Sequence, residues 1–184
     1  MNRNARLARL AGVTMTGPDT FEAHDAAHAV RLLVEHCRAD DYPDMRAIAA
    51  KVATTAGEIQ EWIQHAVRFE FETGEVFQSP PVTLARGVGD CDCQARLFLA
   101  MVAGLPQHGR SHVQRRALGF WWDGADAVHV APYVRASSSG PWMACETTVE
   151  GVRYGEDPIA GAVRKAALRP DLARAFGPVH IIPL

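Results

Sequence analysis

The spacing of apolar residues changes along this chain, and that change constrains the fold more than any other sequence feature. In the first third, apolar residues recur at helical spacing, as in the stripe formed by Ile59, Ile63 and Ala66, which indicates amphipathic helices. In residues 113–122, 126–135 and 142–149 the period falls towards two, which is typical of half-buried strands. Helices followed by antiparallel strands predict an α+β domain and not a βαβ alternation.

Caps and turn residues set the expected helix boundaries. One helix is predicted from Asp19, as its N-cap, to the residue before Pro43, and two more follow it, divided at Gly57. The two prolines at 80–81 predict an extended segment that excludes helix. A further helix begins near residue 91, with Gly104 as its C′ residue, and a last one covers residues 159–167.

Length and composition allow one domain with short terminal segments. The chain has 184 residues, of which 48% are hydrophobic, and this is enough for a core that needs no metal or disulfide. We assign residues 1–18 to a basic N-terminal arm, 19–170 to a single domain and 171–184 to a C-terminal tail.

Net charge and cysteine content exclude several classes of protein. The formal charge of −2 lacks the long-range positive field of a nucleic-acid or membrane-surface binder. The four cysteines are too few and too unevenly spaced for a disulfide framework, which favours a reducing compartment. No apolar run reaches the roughly 18 residues of a membrane span, and the N-terminus lacks a secretory apolar region. The sequence predicts a cytoplasmic protein, with virion association as the alternative.

The segment Gly87-Val88-Gly89-Asp90-Cys91-Asp92-Cys93 carries the strongest indication of chemistry. Its glycines allow a sharp turn, and the apolar stripe after it places Cys91 at the first turn of a buried helix, with Asp90 as N-cap. The helix dipole and unpaired N–H groups at that end favour the thiolate, which is the nucleophile. Cys91 is the candidate nucleophile; the alternative is a structural cysteine in the core.

A thiol nucleophile needs a base and a group that orients the base. Among the eight histidines, His129 lies in the middle of a predicted strand and is the candidate base, with His112 in reserve. Glu146 lies on the next predicted strand and is the candidate orienting acid, because neighbouring antiparallel strands can place the two side by side. Glu150 and Glu156 are alternatives for the acid.

These residues resemble the motifs of the transglutaminase-like superfamily of cysteine enzymes, over about residues 60–160. The likeness comprises Gly89-Asp90-Cys91-Asp92 opening a helix, a histidine followed by valine on a strand, and Trp142 followed by an acid and a threonine. It implies a papain-like core in which the nucleophile helix packs on an antiparallel sheet. It also implies the roles of nucleophile for Cys91, general base and acid for His129, and orienting acid for Glu146.

Three departures from the family pattern accompany this likeness. The family motif often has a second acid directly after Gly-Asp-Cys-Asp, where this chain has Cys93. The family commonly has aspartate where this chain has Glu146, and the longer side chain requires a strand that sits slightly farther away. Pro132 is expected to bend or end the histidine strand early.

Three further residues are candidates for the site. Gln78 is a candidate donor to an oxyanion, beside the backbone N–H of Cys91, because papain-like enzymes use a glutamine in this way. Asp90 and Trp142 are expected to line the site, with Trp142 shielding His129 and Glu146 from water.

We predict no metal and no cofactor. The Cys91-Asp92-Cys93 spacing lacks the paired Cys-x-x-Cys pattern of structural zinc sites. Two histidines, His24 and His28, stand four residues apart, but Asp25 replaces the glutamate of the zinc-protease motif. No phosphate-binding loop, dinucleotide fingerprint or calcium loop is present.

The predicted function is thiol-dependent acyl transfer or hydrolysis on a protein or peptide amide, as in a cysteine peptidase, amidase, deamidase or transglutaminase. The alternative is a non-catalytic structural or adaptor protein of a phage-like particle, because the Phe77-Gln78-Ser79-Pro80 and Glu146-Thr147-Thr148 segments resemble phage and prophage sequences. In that role the N-terminal arm or the C-terminal tail would dock on a particle component. A nucleic acid is not expected as a partner, because the arginine-rich stretches lack interleaved aromatic residues and the remaining charge is balanced. A membrane is not expected either, because no apolar run is long enough to span one.

Overall fold

The computed structural model describes residues 20–23, 42–71, 75–105, 114–122, 128–137, 139–148, 150–155 and 179–183. Four helices lie within these residues: α1 (Pro43–Val52), α2 (Ala56–Ala66), α3 (Pro80–Arg86) and α4 (Cys91–Val102). The strands are β1 (Thr20–Ala23), β2 (Arg68–Phe69), β3 (Glu75–Gln78), β4 (Val88–Gly89), β5 (Gln114–Trp122), β6 (Val128–Arg135), β7 (Met143–Ala144) and β8 (Val179–Pro183). The mixture of helix and strand confirms the α+β class.

The two early helices bury the apolar stripes that predict them. Met45 and Ile48 of α1 and Ile59 and Ile63 of α2 are all buried. A capping box starts α2, in which Thr55 accepts a hydrogen bond from the Glu58 backbone N–H and the Glu58 side chain accepts one from the Thr55 backbone N–H. This exchange satisfies donors that the first turn would otherwise leave unpaired.

Helix α4 is the centre of the described structure. All twelve of its residues are buried, and it packs against α1, α2, α3 and β6. The apolar stripe that predicts α4 covers only part of its surface, and the rest of the helix is buried as well, including polar residues such as Gln94 and Arg96.

The largest sheet has the strand order β7-β6-β5-β8, and all its pairings are antiparallel. In its register His129 of β6 stands opposite Phe120 of β5, and Tyr133 stands opposite Ala144 of β7. Because α4 packs on β6, the helix that begins with Cys91 lies against the strand that carries His129.

Two small sheets hold the turn before α4. β1 pairs with β3 in antiparallel fashion, and β2 pairs with β4 in parallel fashion. The Glu70 backbone N–H extends the second ladder by donating to the Gly89 carbonyl at 3.3 Å. A Cβ on Gly89 would stand only 2.9 Å from Cys93 Cβ, so this close approach requires glycine.

Two predicted boundaries in the first half are wrong. Residues 20–23 form strand β1, paired with Glu75–Gln78, and do not begin a helix at Asp19; their pairing with a distant segment overrides the local capping signal. The two prolines at 80–81 begin helix α3 and do not exclude one. Proline suits the first helical turn because its φ is already helical and that position needs no N–H.

The expected effect of Pro132 is also wrong, because β6 continues through it to Arg135. The Pro132 carbonyl accepts a hydrogen bond from the Cys145 backbone N–H at 2.9 Å, so the missing N–H falls on the β7 side of the strand. The ladder with β7 therefore ends here, and β7 stops at Ala144. Glu146 follows this short strand, whereas the sequence predicts Glu146 within a strand over residues 142–149.

Gly104 follows the α4 C-cap Ala103. Glycine is needed here because of its close contact with α1 and not because of a left-handed backbone conformation. A Cβ at this position would collide with the Arg46 backbone, so glycine permits the close approach of α1.

Residues 179–183, which the sequence assigns to a tail, form β8 at the edge of the sheet beside β5. The basic arm at 1–18, the predicted helices over 24–41 and 159–167, and the His24 and His28 pair lie outside the described residues.

Candidate active site

Cys91 is the first residue of α4, and the preceding turn fixes its position. Asp90 is the N-cap, and its Oδ1 accepts a hydrogen bond from the Cys93 backbone N–H at 3.3 Å. This leaves the sulfur at the positive end of the helix dipole. Cys91 is 7% exposed, whereas Cys93 and Cys145 are 0% exposed, so Cys91 is the most accessible of the three described cysteines.

The other two described thiols are held in the neutral form. Burial, together with the charges of Asp92 and Asp90, raises the pKa of the Cys93 thiol far above its ordinary value. Burial and the charge of Glu146 likewise raise the pKa of the Cys145 thiol. Since the thiolate is the reactive form, neither cysteine is suited to be a nucleophile at neutral pH.

His129 and Glu146 form a buried hydrogen-bonded pair. His129 Nε2 lies 2.7 Å from Glu146 Oε2, and the two side chains are 3% and 1% exposed. If the β6 ladder continued past β7, Glu146 would stand opposite Ala131, which is diagonal to His129 on the same face. The extra methylene of glutamate spans this diagonal.

The second carboxylate oxygen of Glu146 is also held. Its Oε1 accepts hydrogen bonds from the Thr148 backbone N–H at 2.8 Å and from the Thr148 hydroxyl at 2.6 Å. Burial by itself would raise the pKa of this carboxyl, but the charge of His129 and the hydrogen bonds from His129 and Thr148 lower it to about 2. Glu146 is therefore a carboxylate at neutral pH, positioned to stabilise a protonated imidazole.

Helix α2 fastens the chain around this pair. Gln64 Nε2 donates to the Glu146 backbone carbonyl at 2.7 Å and to the Val152 carbonyl at 3.1 Å. Gln60 Nε2 donates to the same Val152 carbonyl at 2.6 Å. These amides anchor the segment after β7 to helix α2 and so help to keep the carboxylate of Glu146 beside the imidazole of His129.

Gln78 lies at the end of β3 beside the first turns of α4. It is 1% exposed, its backbone N–H donates to Cys93 Sγ at 3.2 Å, and its carbonyl accepts from Arg96 Nη1 at 2.8 Å. Both partners are on α4, so the residue is fixed relative to the helix that begins with Cys91.

Trp142 does not cover His129 and Glu146. Its ring packs under the guanidinium groups of Arg116 and Arg135. Arg135 is six residues along β6 from His129, a distance of roughly 20 Å at the usual rise of a strand. The expectation that Trp142 shields the pair is therefore not met, because the β6–β7 register carries the ring to the far end of the sheet.

One cluster near Cys91 has the composition of a metal site. Ligand atoms of Asp90, Asp92 and Cys93 lie within 4.8 Å of one another. A thiol must lose its proton to bind a metal, and the raised pKa of Cys93 opposes this loss.

Three residues to which the sequence analysis assigns no role hold the candidate site together: Thr148, Gln64 and Arg96. A threonine two residues after an acid is a recognised local hydrogen-bonding pattern, so Thr148 had a signal in the sequence. Arg96 and Gln64 act on segments that are distant in sequence, and no local pattern indicates such contacts.

Comparison with known proteins leaves the site to be interpreted on its own geometry. No protein-family model matches the chain, and a search of curated proteins finds no match. Among the described residues, no helix is long and apolar enough to cross a membrane.

Proposed function

We propose that this protein is a thiol-dependent acyltransferase or hydrolase acting on a protein or peptide amide, with Cys91, His129 and Glu146 as its catalytic triad. The observation that carries the proposal is the buried His129–Glu146 hydrogen bond of 2.7 Å on a strand that packs against the Cys91 helix. A buried carboxylate that orients an imidazole is the usual support for a base that activates a thiol.

The same observations support a papain-like, transglutaminase-like core. A helix that begins with the proposed nucleophile packs on an antiparallel sheet; the sheet contributes the base, and the segment directly after β7 contributes the acid. The glutamate, in place of the family's usual aspartate, keeps its oxygen at hydrogen-bond distance from the imidazole.

The proposed reaction begins with proton transfer from Cys91 to His129. Since His129 Nε2 is hydrogen-bonded to Glu146, His129 Nδ1 is the ring nitrogen that exchanges the proton with the sulfur of Cys91. The thiolate attacks the carbonyl carbon of the amide, and the protonated imidazole donates its proton to the leaving amine as the C–N bond breaks. The resulting thioester is attacked by water or by an amine, His129 removes the proton of that nucleophile, and the thiol is regenerated.

The charge that develops on the carbonyl oxygen needs hydrogen-bond donors. The backbone N–H of Cys91, at the start of α4, is one proposed donor. The side-chain amide of Gln78 is the second, because Arg96 and Cys93 hold the Gln78 backbone against the same helix.

Alkylation of the intact protein by iodoacetamide, followed by mass spectrometry of each cysteine peptide, tests the proposal. Cys91 is expected to react faster than the other three cysteines, with a pH midpoint below the ~8.5 of a free thiol. His129→Gln should slow this labelling, and His65→Gln, which changes an exposed histidine on α2, should not. Equal slow labelling of all four cysteines would favour the non-catalytic structural or adaptor protein.

A further inference from the structure

Two arginines converge on one tryptophan at the end of the sheet remote from His129. The guanidinium carbon of Arg116 lies 4.1 Å from the centroid of the Trp142 ring, and that of Arg135 lies 4.6 Å from it. Arg116 also lies 5.8 Å from the ring centroid of Tyr133. The two cationic carbons are thus at most about 9 Å apart, close to the ~8 Å Debye length at physiological salt, so their repulsion is only partly screened.

The strand register produces this convergence. Arg116 of β5 stands opposite Tyr133, and Arg135 stands opposite Gln114, so the two arginines occupy diagonal positions on one face of the sheet. Trp142 directly precedes β7 and reaches the same face. All of these side chains are partly exposed, so the cluster is accessible to a ligand.

Within the described part of the chain, neither arginine has a carboxylate partner. Arg135 donates through Nε to Gln114 Oε1 at 2.6 Å, which orients its guanidinium and leaves the terminal amino groups for another acceptor. The buried Nε of Arg116 has no hydrogen-bond partner. Aromatic rings therefore hold two cations in place while most of their donors remain available.

We propose that Arg116 and Arg135, held against Trp142, form a binding site for a carboxylate of an acidic peptide segment. A planar guanidinium offers paired donors that match the two oxygens of a carboxylate, and an anion between the two groups removes their mutual repulsion. A nucleic-acid backbone requires a track of several cations, whereas this cluster presents two on a chain of net charge −2.

Fluorescence anisotropy with a labelled hexaglutamate peptide and the full-length protein tests this site. We expect the double variant Arg116→Gln with Arg135→Gln to bind at least about tenfold more weakly, since it loses charge-assisted hydrogen bonds. Arg153→Gln removes one charge at an exposed arginine outside the cluster and should leave binding within about twofold. A hexaglutamine peptide, which has no side-chain carboxylates, should not bind.

Three results would overturn the proposal: no binding of hexaglutamate by the unaltered protein, equal binding by the double variant, or equal binding of hexaglutamine. Stronger binding of a thymidine oligonucleotide of the same charge, or competition by inorganic phosphate at concentrations where acetate has no effect, would assign the cluster to phosphate instead. If the double variant does not fold, Arg135→Gln alone decides, and unchanged hexaglutamate binding by that variant counts against the site.

Discussion

Glu146 is a residue whose protonation links the candidate site to the stability of the fold. Although burial opposes its charge, His129 and Thr148 lower its pKa to about 2, from 4.5 in an ordinary environment. Because the folded value lies below the unfolded one, the carboxylate stabilises the fold above about pH 4.5. That contribution is lost as the pH falls towards 2.

Replacing Glu146 with glutamine should therefore change the pH dependence of stability. The difference between the free energies of unfolding of the two proteins should contain a part that depends on pH. This part should be about 3 kcal/mol at pH 7 and should shrink as the pH falls from 5 towards 2. Urea unfolding at a series of pH values measures it. Glu70→Gln is the control, because Glu70 forms an exposed ion pair with Arg68 that contributes little; a constant difference between Glu146→Gln and the unaltered protein would refute the assignment.

Thr148→Val tests the hydrogen bonds that hold the carboxylate. The substitution removes the hydroxyl that donates to Glu146 Oε1 at 2.6 Å, and a lost bond to a buried charged group should cost about 1.5–3 kcal/mol. Thr54→Val is a matched control, since the Thr54 hydroxyl donates to Glu58 in an exposed position. Urea unfolding at pH 7 compares them, and equal losses would argue against a special role for Thr148.

At the scale of residues, the sequence predicts the structure correctly where the signal is local. Asp90 and the glycines before it indicated a helix start at Cys91, and the two consecutive strand-like segments indicated that His129 and Glu146 lie close together. The position of Trp142 was not predictable, because it depends on the register between β6 and β7. The pairing of these two strands ends at Pro132. The contacts of Arg96 and Gln64 join distant segments and have no periodic signal.

Among the elements, α4 depends most on close packing against its neighbours. Its C-terminal end meets α1 at Gly104, where a side chain would collide with the Arg46 backbone. Two helices that approach so closely exclude water and fix their mutual angle. The helix that carries Cys91 is therefore held firmly at the end opposite to the sulfur.

Gly104→Ala should destabilise the protein although alanine favours helices. The backbone of α1 must move to admit the methyl group, which we expect to cost about 1–3 kcal/mol in the free energy of unfolding. Gly57→Ala is the matched control: its methyl group would make an ordinary 3.4 Å contact with Tyr154 Cβ, and α2 should gain stability from the better helix former. Thermal unfolding of both variants measures the contrast, and a neutral Gly104→Ala would show that the two helices separate without cost.

Elements were predictable to the extent that their own residues decide them. The apolar stripes of α1, α2 and α4 and the alternation in β5 and β6 correctly indicated these elements. Strand β1 was not predictable because it depends on pairing with Glu75–Gln78. Helix α3 differs from the prediction because two consecutive prolines favour an extended segment, whereas here they occupy the first turn of the helix.

At the scale of the whole molecule, the sheet joins segments that are far apart in sequence. β5 pairs on one side with β6 and on the other with β8, nearly sixty residues further along the chain. β8 is an edge strand in the order β7-β6-β5-β8, so alternate backbone N–H groups point towards β5 and away from it.

Single prolines at His180, Ile181 and Ile182 should reveal this alternation. Proline at a position whose N–H donates to β5 should lower the melting temperature, because it removes a ladder hydrogen bond, while proline at the intervening position should be tolerated. Pro183 already occupies the last paired position. Thermal unfolding of the three variants gives the pattern, and equal tolerance at all three positions would contradict the β5–β8 pairing.

The late position of β8 also affects how the protein is made. At a synthesis rate of about 5–20 residues per second, the ribosome needs roughly 3–11 s to advance from β5 to β8. During that interval β5 can already pair with β6, but its other edge still presents unpaired N–H and C=O groups, which are a template for strands of other chains. Newly made chains are therefore most susceptible to aggregation in this short period, and slower translation of residues 123–178 would lengthen it.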